Sequence, residues 1–431
     1  MNTDKIIRRN SVFMVLEGAI FYAALSLIPN ETVIAEFLDY TSGSVTMVGL
    51  AATMSSLMFY VGQFVCGLFI HRVEKQRPFL SKMAFLSRGL LVLFAVALLV
   101  GVKGRAAAWL FILAYGVIFT IDGFTGLCWN QVLARTLPSE KRGQVLSFQQ
   151  SLCGVIGIFA GFVVQRILLS GIDPMDRYKL IFLLAGGVFV LSACMTLFFM
   201  DVPHPSYPDV PVKNPIKYIR ELLPLMTRDR GVRNTLISRV IFIFTMISAP
   251  VNYKFGQVNG LSEFQLSMLV YMPLIGQILA GVFWGYISNR TNYPFMMLLA
   301  QIFGIACALA NFAALFLAIN GKPVMIALSL AMVLVKFTYV ANNAFSMHVL
   351  GIVDEEKRAN AIVITSLVTA PASFGTTLAG MIADWAFWPV YCIMLAAGIA
   401  GLAHTYHYFI SKNSPLPESQ RMPRRSGGAN R

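Results

Sequence analysis

GLFIHRVEKQRP, residues 67–78, is a short basic turn between two long apolar stretches, and the chain carries it twice. The second copy is GYISNRTNYP, residues 285–294, where Gly285, Asn289, Arg290 and Pro294 take the places of Gly67, His71, Arg72 and Pro78. The copies lie 218 residues apart before the turn and 216 after it, because the second turn is two residues shorter. The displacement of 216 persists downstream, where Glu140-Lys141-Arg142 returns as Glu356-Lys357-Arg358. Self-similarity of this kind marks a structural unit written more than once. The chain is one unit in two copies.

Both copies are strongly apolar. Of 431 residues 57% are hydrophobic and 13% charged, with a mean hydropathy of +0.68, well beyond what a soluble core needs. A spanning helix takes about 20 mostly apolar residues, because hydrocarbon offers no partner to an unpaired backbone group. About twelve such segments can be read, near 11–29, 45–70, 79–101, 106–132, 144–166, 178–200, 234–256, 262–288, 295–318, 323–350, 361–383 and 387–410. The expected fold is an all-α polytopic membrane protein with twelve transmembrane helices in two parallel six-helix repeats. The first segment follows Lys5, Arg8 and Arg9 but lacks a small-residue cleavage site, so it reads as a retained helix. The six cysteines all fall inside apolar spans without paired spacing, which argues for buried thiols over disulfides or a metal site.

The net charge of +14 is a matter of topology. With the N-terminus in the cytoplasm, cytoplasmic segments hold 24 of the 34 Lys and Arg, and the opposite loops hold six. That asymmetry places both ends in the cytoplasm of a multi-pass cell-membrane protein and removes the need for a nucleic-acid partner.

The expected domains are a bundle over 1–200, a linker over 201–233, a second bundle over 234–411 and a basic, disordered tail over 412–431. Four prolines between Asp201 and Pro211 preclude a regular helix there. Beyond them Ile216, Ile219, Leu222, Leu223 and Met226 recur at helical spacing among basic residues, the pattern of an amphipathic helix at the cytoplasmic interface.

Two six-helix halves in parallel repeat, a cytoplasmic linker and a basic turn after the second helix of each half resemble the major facilitator superfamily of secondary transporters. The resemblance covers nearly the whole chain. In that family the turn between helices 2 and 3 reads glycine, three residues, aspartate, arginine, one residue, glycine, then two basic residues. Gly67, Arg72 and Lys75 match it, whereas His71 replaces the aspartate and Glu74 the second glycine; Gly285 and Arg290 match in the second copy, with Asn289 for the aspartate. The resemblance assigns the aspartate and arginine to a charge latch between the halves, so Gly67, Arg72, Gly285 and Arg290 are the gating candidates. With both acids gone, that latch must be built differently. The family's antiporter signature on helix 5 combines spaced glycines with a proline; here Gly154, Gly157 and Gly161 have no proline among them. Glycines at such intervals read as close helix packing.

Chemistry is sparse. Only Glu17 and Asp122 among the acids lie within spans, with Arg88, Arg239, Lys254 and Lys336 among the bases. An ionisable group at mid-membrane costs at least about 2.5–3.5 kcal/mol, so each should face a cavity or a partner. Lys336 corresponds by the 216 displacement to Thr120, two residues from Asp122, so the two should stand level near mid-membrane. The family resemblance places helices 1, 4, 7 and 10 around a central cavity, which would let Asp122 and Lys336 face each other. Phe119, Asp122 and Trp129 share one helical face, and Lys336, Tyr339 and Asn343 share another. Two roles are open to the pair, a permanent salt bridge or a switch that parts on binding. Glu17, six or seven residues into its span, has three: a proton site, a partner for Arg239, or a cap. Arg88 and Arg239 have the alternative of reaching the cytoplasmic surface, and Lys254 the opposite one.

Asn130, Gln131, Gln149, Gln150, Asn252 and Tyr253, with Asn311, Asn342 and Asn343, are further hydrogen-bonding candidates, about half expected to join helices instead. His404 and His407 fit an interfacial aromatic belt better than a metal site. The sequence therefore points to a transporter, with substrate or proton sites at Asp122, Lys336, Glu17, Trp129, Asn130, Tyr339, Asn343 and Arg239. The coupling proton on Asp122 or Glu17 comes from family analogy. Four basic against two acidic residues tilt the solute toward an anion or zwitterion. The alternatives are a multidrug proton antiporter and a sensor that binds solute without moving it; no catalytic constellation suggests an enzyme. Neither cofactor nor metal is called for. The expected partners are a small-molecule substrate, a proton and the lipid bilayer, with the chain acting as a monomer.

Overall fold

The computed structural model describes residues 3–42, 45–168, 170–200, 212–383 and 385–416. The proline-rich segment 201–211 and most of the basic tail lie outside the described residues.

The first half contains α1 (Thr3–Leu27), a short α2 (Ala35–Ser42), α3 (Val45–Phe69), α4 (Gln76–Leu99), α5 (Gly104–Thr136), α6 (Ser139–Leu168) and α7 (Pro174–Thr196). A connecting helix α8 (Pro215–Thr227) leads to the second half. There the seventh span is broken into α9 (Arg230–Ile243), a 3₁₀ turn and α10 (Ala249–Val258). It is followed by α11 (Glu263–Ser288), α12 (Tyr293–Ile319) and α13 (Met325–Ile352). The eleventh span is broken into α14 (Arg358–Thr369), a 3₁₀ turn and α15 (Gly375–Ala383), and α16 (Trp388–Thr405) ends the bundle. Together these make the twelve-helix membrane fold. Among the described residues ten segments are individually long and apolar enough to cross a bilayer; the other two crossings are α9–α10 and α11.

Local chemistry sets the ends and the breaks. Asp173, Asn214 and Asn292 cap α7, α8 and α12 through their side-chain oxygens, each followed by a proline in the first turn. Ser262 and Gln265 form a reciprocal capping box at the start of α11. The breaks fall at Pro250 and Pro371, whose rings cannot continue the preceding hydrogen-bond ladder.

Corresponding helices pack alike in the two halves: α3 on α5 and α4 on α7 in the first, α11 on α13 and α12 on α16 in the second. Glycines let these backbones meet. A Cβ at Gly123 would lie 2.3 Å from the Phe59 carbonyl oxygen, and one at Gly276 would lie 2.7 Å from that of Val333. Between the halves the main contacts are α6 with α11 and α3 with α14. Under the repeat these are one pair exchanged between copies. Gly154, Gly157 and Gly161 turn out to face α11, where a Cβ at Gly154 would come within 2.5 Å of Ile278.

The described ends of the chain, the end of α7 and the turns after α3, α5, α11 and α13 lie on one side, called the terminal side. Arg9 and Asn10 there reach the Phe198 and Met200 carbonyls, and Lys213 N–H donates to the Leu68 carbonyl at 3.1 Å.

Candidate functional site: a central cavity between opposed charges

A cavity of about 330 Å³ lies between the halves, bounded by α1, α3, α4, α5 and α6 on one wall and by α9, α13 and α14 on the other. It extends from mid-membrane toward the terminal side. Trp129 and Asn130 mark that end on α5, Leu350 on α13 and Ala361 on α14.

The first-half wall carries three ionisable residues at one level. Glu17 is fourteen residues from the start of α1, Arg88 twelve from the start of α4, and Asp122 fourteen from the end of α5. All three are thus about 18–21 Å from the terminal-side helix ends. Arg88 donates through Nη2 to Glu17 Oε1, and the pair is buried, with 3% and 4% exposure. Its guanidinium stands 5.1 Å from the Phe21 ring centroid. This corrects two expectations. Arg88 does not reach for the surface, and Glu17 pairs with it instead of with Arg239. Because α1 begins at Thr3, Glu17 is a full two turns deeper than a helix starting at residue 11 would place it.

Asp122 is 7% exposed, lines the cavity and makes no hydrogen bond or ion pair among the described residues. Its charged neighbours are Arg88 and Glu17. The expected partner Lys336 does not reach it. Lys336 and Tyr339 occupy the face of α13 that also carries Asn343 and Ser346, but about one to three turns farther from the terminal side and outside the enclosed volume. The Lys336 ammonium lies 5.0 Å from the Tyr339 ring centroid, and Tyr339 is 57% exposed. Asp122 lines the cavity and Lys336 does not.

The second-half wall carries Arg239. Its Nη1 donates to Ser346 Oγ at 2.8 Å, its Nε is buried with no partner, and no carboxylate pairs with it among the described residues. Asn342 and Asn343 complete this wall, and the Asn342 Oδ1 is a buried acceptor without a donor. Trp129 lines the cavity with its indole N–H unpartnered, while Asn130 donates to the Gly126 carbonyl of its own helix at 2.9 Å. Phe119 is not part of the lining; it packs edge-on against Tyr115 in the first-half core.

Several polar candidates join helices. Gln131 sits in a network with Gln76 and Arg135, Gln149 reaches the Met14 carbonyl, and Gln150 accepts from Gln277 across the halves at 2.8 Å. Asn252 and Asn311 are buried on the α9–α10 and α12 segments away from the cavity, and the Tyr253 side chain lies outside the described residues. His404 Nδ1 lies 2.9 Å from Ser238 Oγ and so ties α16 to α9. Sequence reasoning missed Tyr22, Phe59, Tyr60, Gln63 and Ser366 as lining residues. Their signal was present as polar and aromatic positions at helical spacing, as in Phe59, Tyr60 and Gln63.

A family model for the Major Facilitator Superfamily matches residues 10–256, more than half of the chain. The chain belongs to the Major Facilitator Superfamily. An uncharacterized protein of Mycobacterium tuberculosis is 22% identical over 397 residues, covering 90% of this chain and 75% of that one. The fold is shared with solved structures of the superfamily. The proton:xylose symporter XylE bound to 6-bromo-6-deoxy-D-glucose aligns with a TM-score of 0.66 at 14% identity, covering 94% of this chain and 96% of that one. The human organic anion transporter MFSD10 aligns at 0.68 and 11% identity, covering 93% and 99%.

The two repeated turns, the expected gating sites, make the following contacts among the described residues. On the second copy, Gln144 of α6 donates across the halves to Asn289, the residue that replaces the family's aspartate. Arg290 instead stacks on Tyr286 of its own helix, 4.1 Å from the ring centroid, and is exposed. A Cβ at Gly285 would meet only Ser147, at 3.3 Å. The first copy is tighter: a Cβ at Gly67 would lie 2.7 Å from Tyr218 Oη and 2.8 Å from Val363 Cγ2. Tyr218, on the connecting helix, is fully buried and donates to Asn360 Oδ1 at 3.0 Å, so α8 bridges the ends of α3 and α14. Burial pushes its phenol well above the ordinary tyrosine range, which keeps the hydroxyl a donor. Ser366 adds a bond to Gln63 beneath it. Arg72 follows directly in the 3₁₀ turn Ile70–Arg72, beside His71, whose ring nitrogens are buried without partners.

Proposed function

We propose that this protein is a secondary active transporter that carries a small organic solute across the cell membrane by alternating access, driven by a proton that binds Asp122. The carrying observation is that Asp122 is a buried cavity carboxylate with no ion-pair partner, whereas Glu17 is committed to Arg88. An unpaired buried carboxylate is the group whose charge is most easily exchanged for a proton. Both termini are read as cytoplasmic, from the distribution of Lys and Arg. In this reading the Tyr218–Asn360 and Gln144–Asn289 contacts are the terminal-side gate, standing in for a charge latch. On the far side Tyr271 bonds Gln165 at 3.1 Å and Thr53 lies 3.3 Å from Thr377. Uptake of a labelled solute panel into proteoliposomes, with and without an imposed pH gradient, tests the reading. Accumulation that follows the gradient supports it; flux indifferent to the gradient, or binding without flux, contradicts it.

A further inference from the structure

We propose that the solute is a small organic monoanion, a carboxylate on an apolar body, whose head binds the Nε–Nη2 edge of Arg239 beside Ser346. The proposal rests on the transporter reading and names its substrate class.

Arg239 lines the cavity, makes one hydrogen bond, to Ser346, and leaves its Nε buried without a partner among the described residues. The Nε–Nη2 edge is a planar two-donor fork, the geometry that matches a carboxylate. A guanidinium held within the membrane span without a counter-ion is costly, and an entering anion removes the penalty. No protein carboxylate can do so here, since Glu17 is held by Arg88 and Asp122 pairs with neither base among the described residues. The same cavity is also lined by Tyr60, Met347, Leu350 and Ile362, an apolar surface for the rest of the molecule. The cavity volume, about 330 Å³, is at the small end of ligand sites.

Charge balance selects the class. The first-half wall holds two carboxylates against one guanidinium, a surplus of one negative charge; the second-half wall holds one guanidinium, a surplus of one positive charge. A proton on Asp122 with a monoanion on Arg239 leaves both walls neutral. A dianion would exceed what Arg239 compensates. An organic cation paired with Asp122 would leave the Arg239 charge across the cavity uncompensated. Lys336, on the same face of α13 but outside the enclosed volume, adds an attractive field for anions on the far-side approach.

The test is binding to the purified full-length protein in nanodiscs at pH 7, by calorimetry, of phenylacetate, benzoate and hexanoate, each against its uncharged amide. At least one acid should bind about 10- to 100-fold tighter than its amide, the range expected for hydrogen bonds to a charged group. Arg239→Gln should abolish that preference, Arg239→Lys should keep part of it, and Ser346→Ala should weaken the acid several-fold while leaving the amide unchanged. No acid preferred by the wild type, or a preference that survives Arg239→Gln, overturns the proposal. Should Arg239→Gln fail to fold, the wild-type ratio and Ser346→Ala decide. Asp122→Asn should keep the acid preference. An intact preference without proton-driven uptake overturns the proton reading and leaves this one standing.

Discussion

The two walls of the cavity descend from one repeated unit and share its packing, yet their charges diverge completely. By the displacement read from the turns, Glu17, Arg88 and Asp122 correspond to Thr235, Gly304 and Thr338. Each of these is uncharged and serves packing. Thr235 and Thr338 return their hydroxyls to carbonyls of their own helices at 2.8 and 2.6 Å, and Gly304 admits Thr245 within 2.8 Å of a notional Cβ. Arg239 corresponds in turn to Phe21. The apolar pattern and close-approach glycines thus set the scaffold in both copies, whereas four ionisable side chains give each wall its own task. Likeness between the halves carries the fold, and the few positions where they differ make up the proposed site.

That contrast can be broken most forcefully at the closed ion pair. Arg88→Gln leaves Glu17 buried without its partner and should destabilise the protein by about 3–5 kcal/mol, whereas Glu17→Gln with Arg88→Gln should recover most of the loss. Thermal unfolding in detergent reads both; a double variant no better than the single would mean that the pair does more than neutralise itself. Next come the matched glycines of the gate. Gly67→Ala pushes against Tyr218 and Val363 and should cost about 1–3 kcal/mol, while Gly285→Ala, which meets only Ser147, should stay within about 0.5 kcal/mol. Equal effects would erase the distinction between the two turns. The smallest change is Tyr218→Phe, which removes one hydrogen bond worth about 0.5–1.5 kcal/mol. It should raise the rate at which a cysteine placed at Asn342 is alkylated from the terminal side about 2- to 10-fold, with little effect on unfolding. An unchanged rate would take the connecting helix out of the gate.

Much of this molecule was legible in its sequence, and the omissions have physical causes. Spans are set by long apolar runs, so most boundaries fell within a few residues, and the repeated turn showed that the copies are parallel. The short helix α2 was missed because Ala35–Ser42 sits in a loop between two far stronger apolar signals. The Glu17–Arg88 pair was missed because the first helix extends through Lys5, Arg8 and Arg9, a polar stretch that reads as its flank. Depth arithmetic placed Asp122 and Lys336 on one level, but separation across a cavity depends on how helices rotate and splay, which residue spacing does not encode. For the same reason Phe119 and Tyr339 shared a helical face with lining residues without joining them.

In the proposed cycle Asp122 carries the exchangeable charge of the first-half wall. The most direct measurement is solute-dependent proton movement in proteoliposomes, with the carboxylate panel as solutes, comparing wild type with Asp122→Asn. A proton signal should accompany solute in the wild type and fall by at least about tenfold in the variant, which should still bind solute. A proton signal of wild-type size in Asp122→Asn would contradict this role and move the coupling site to another group.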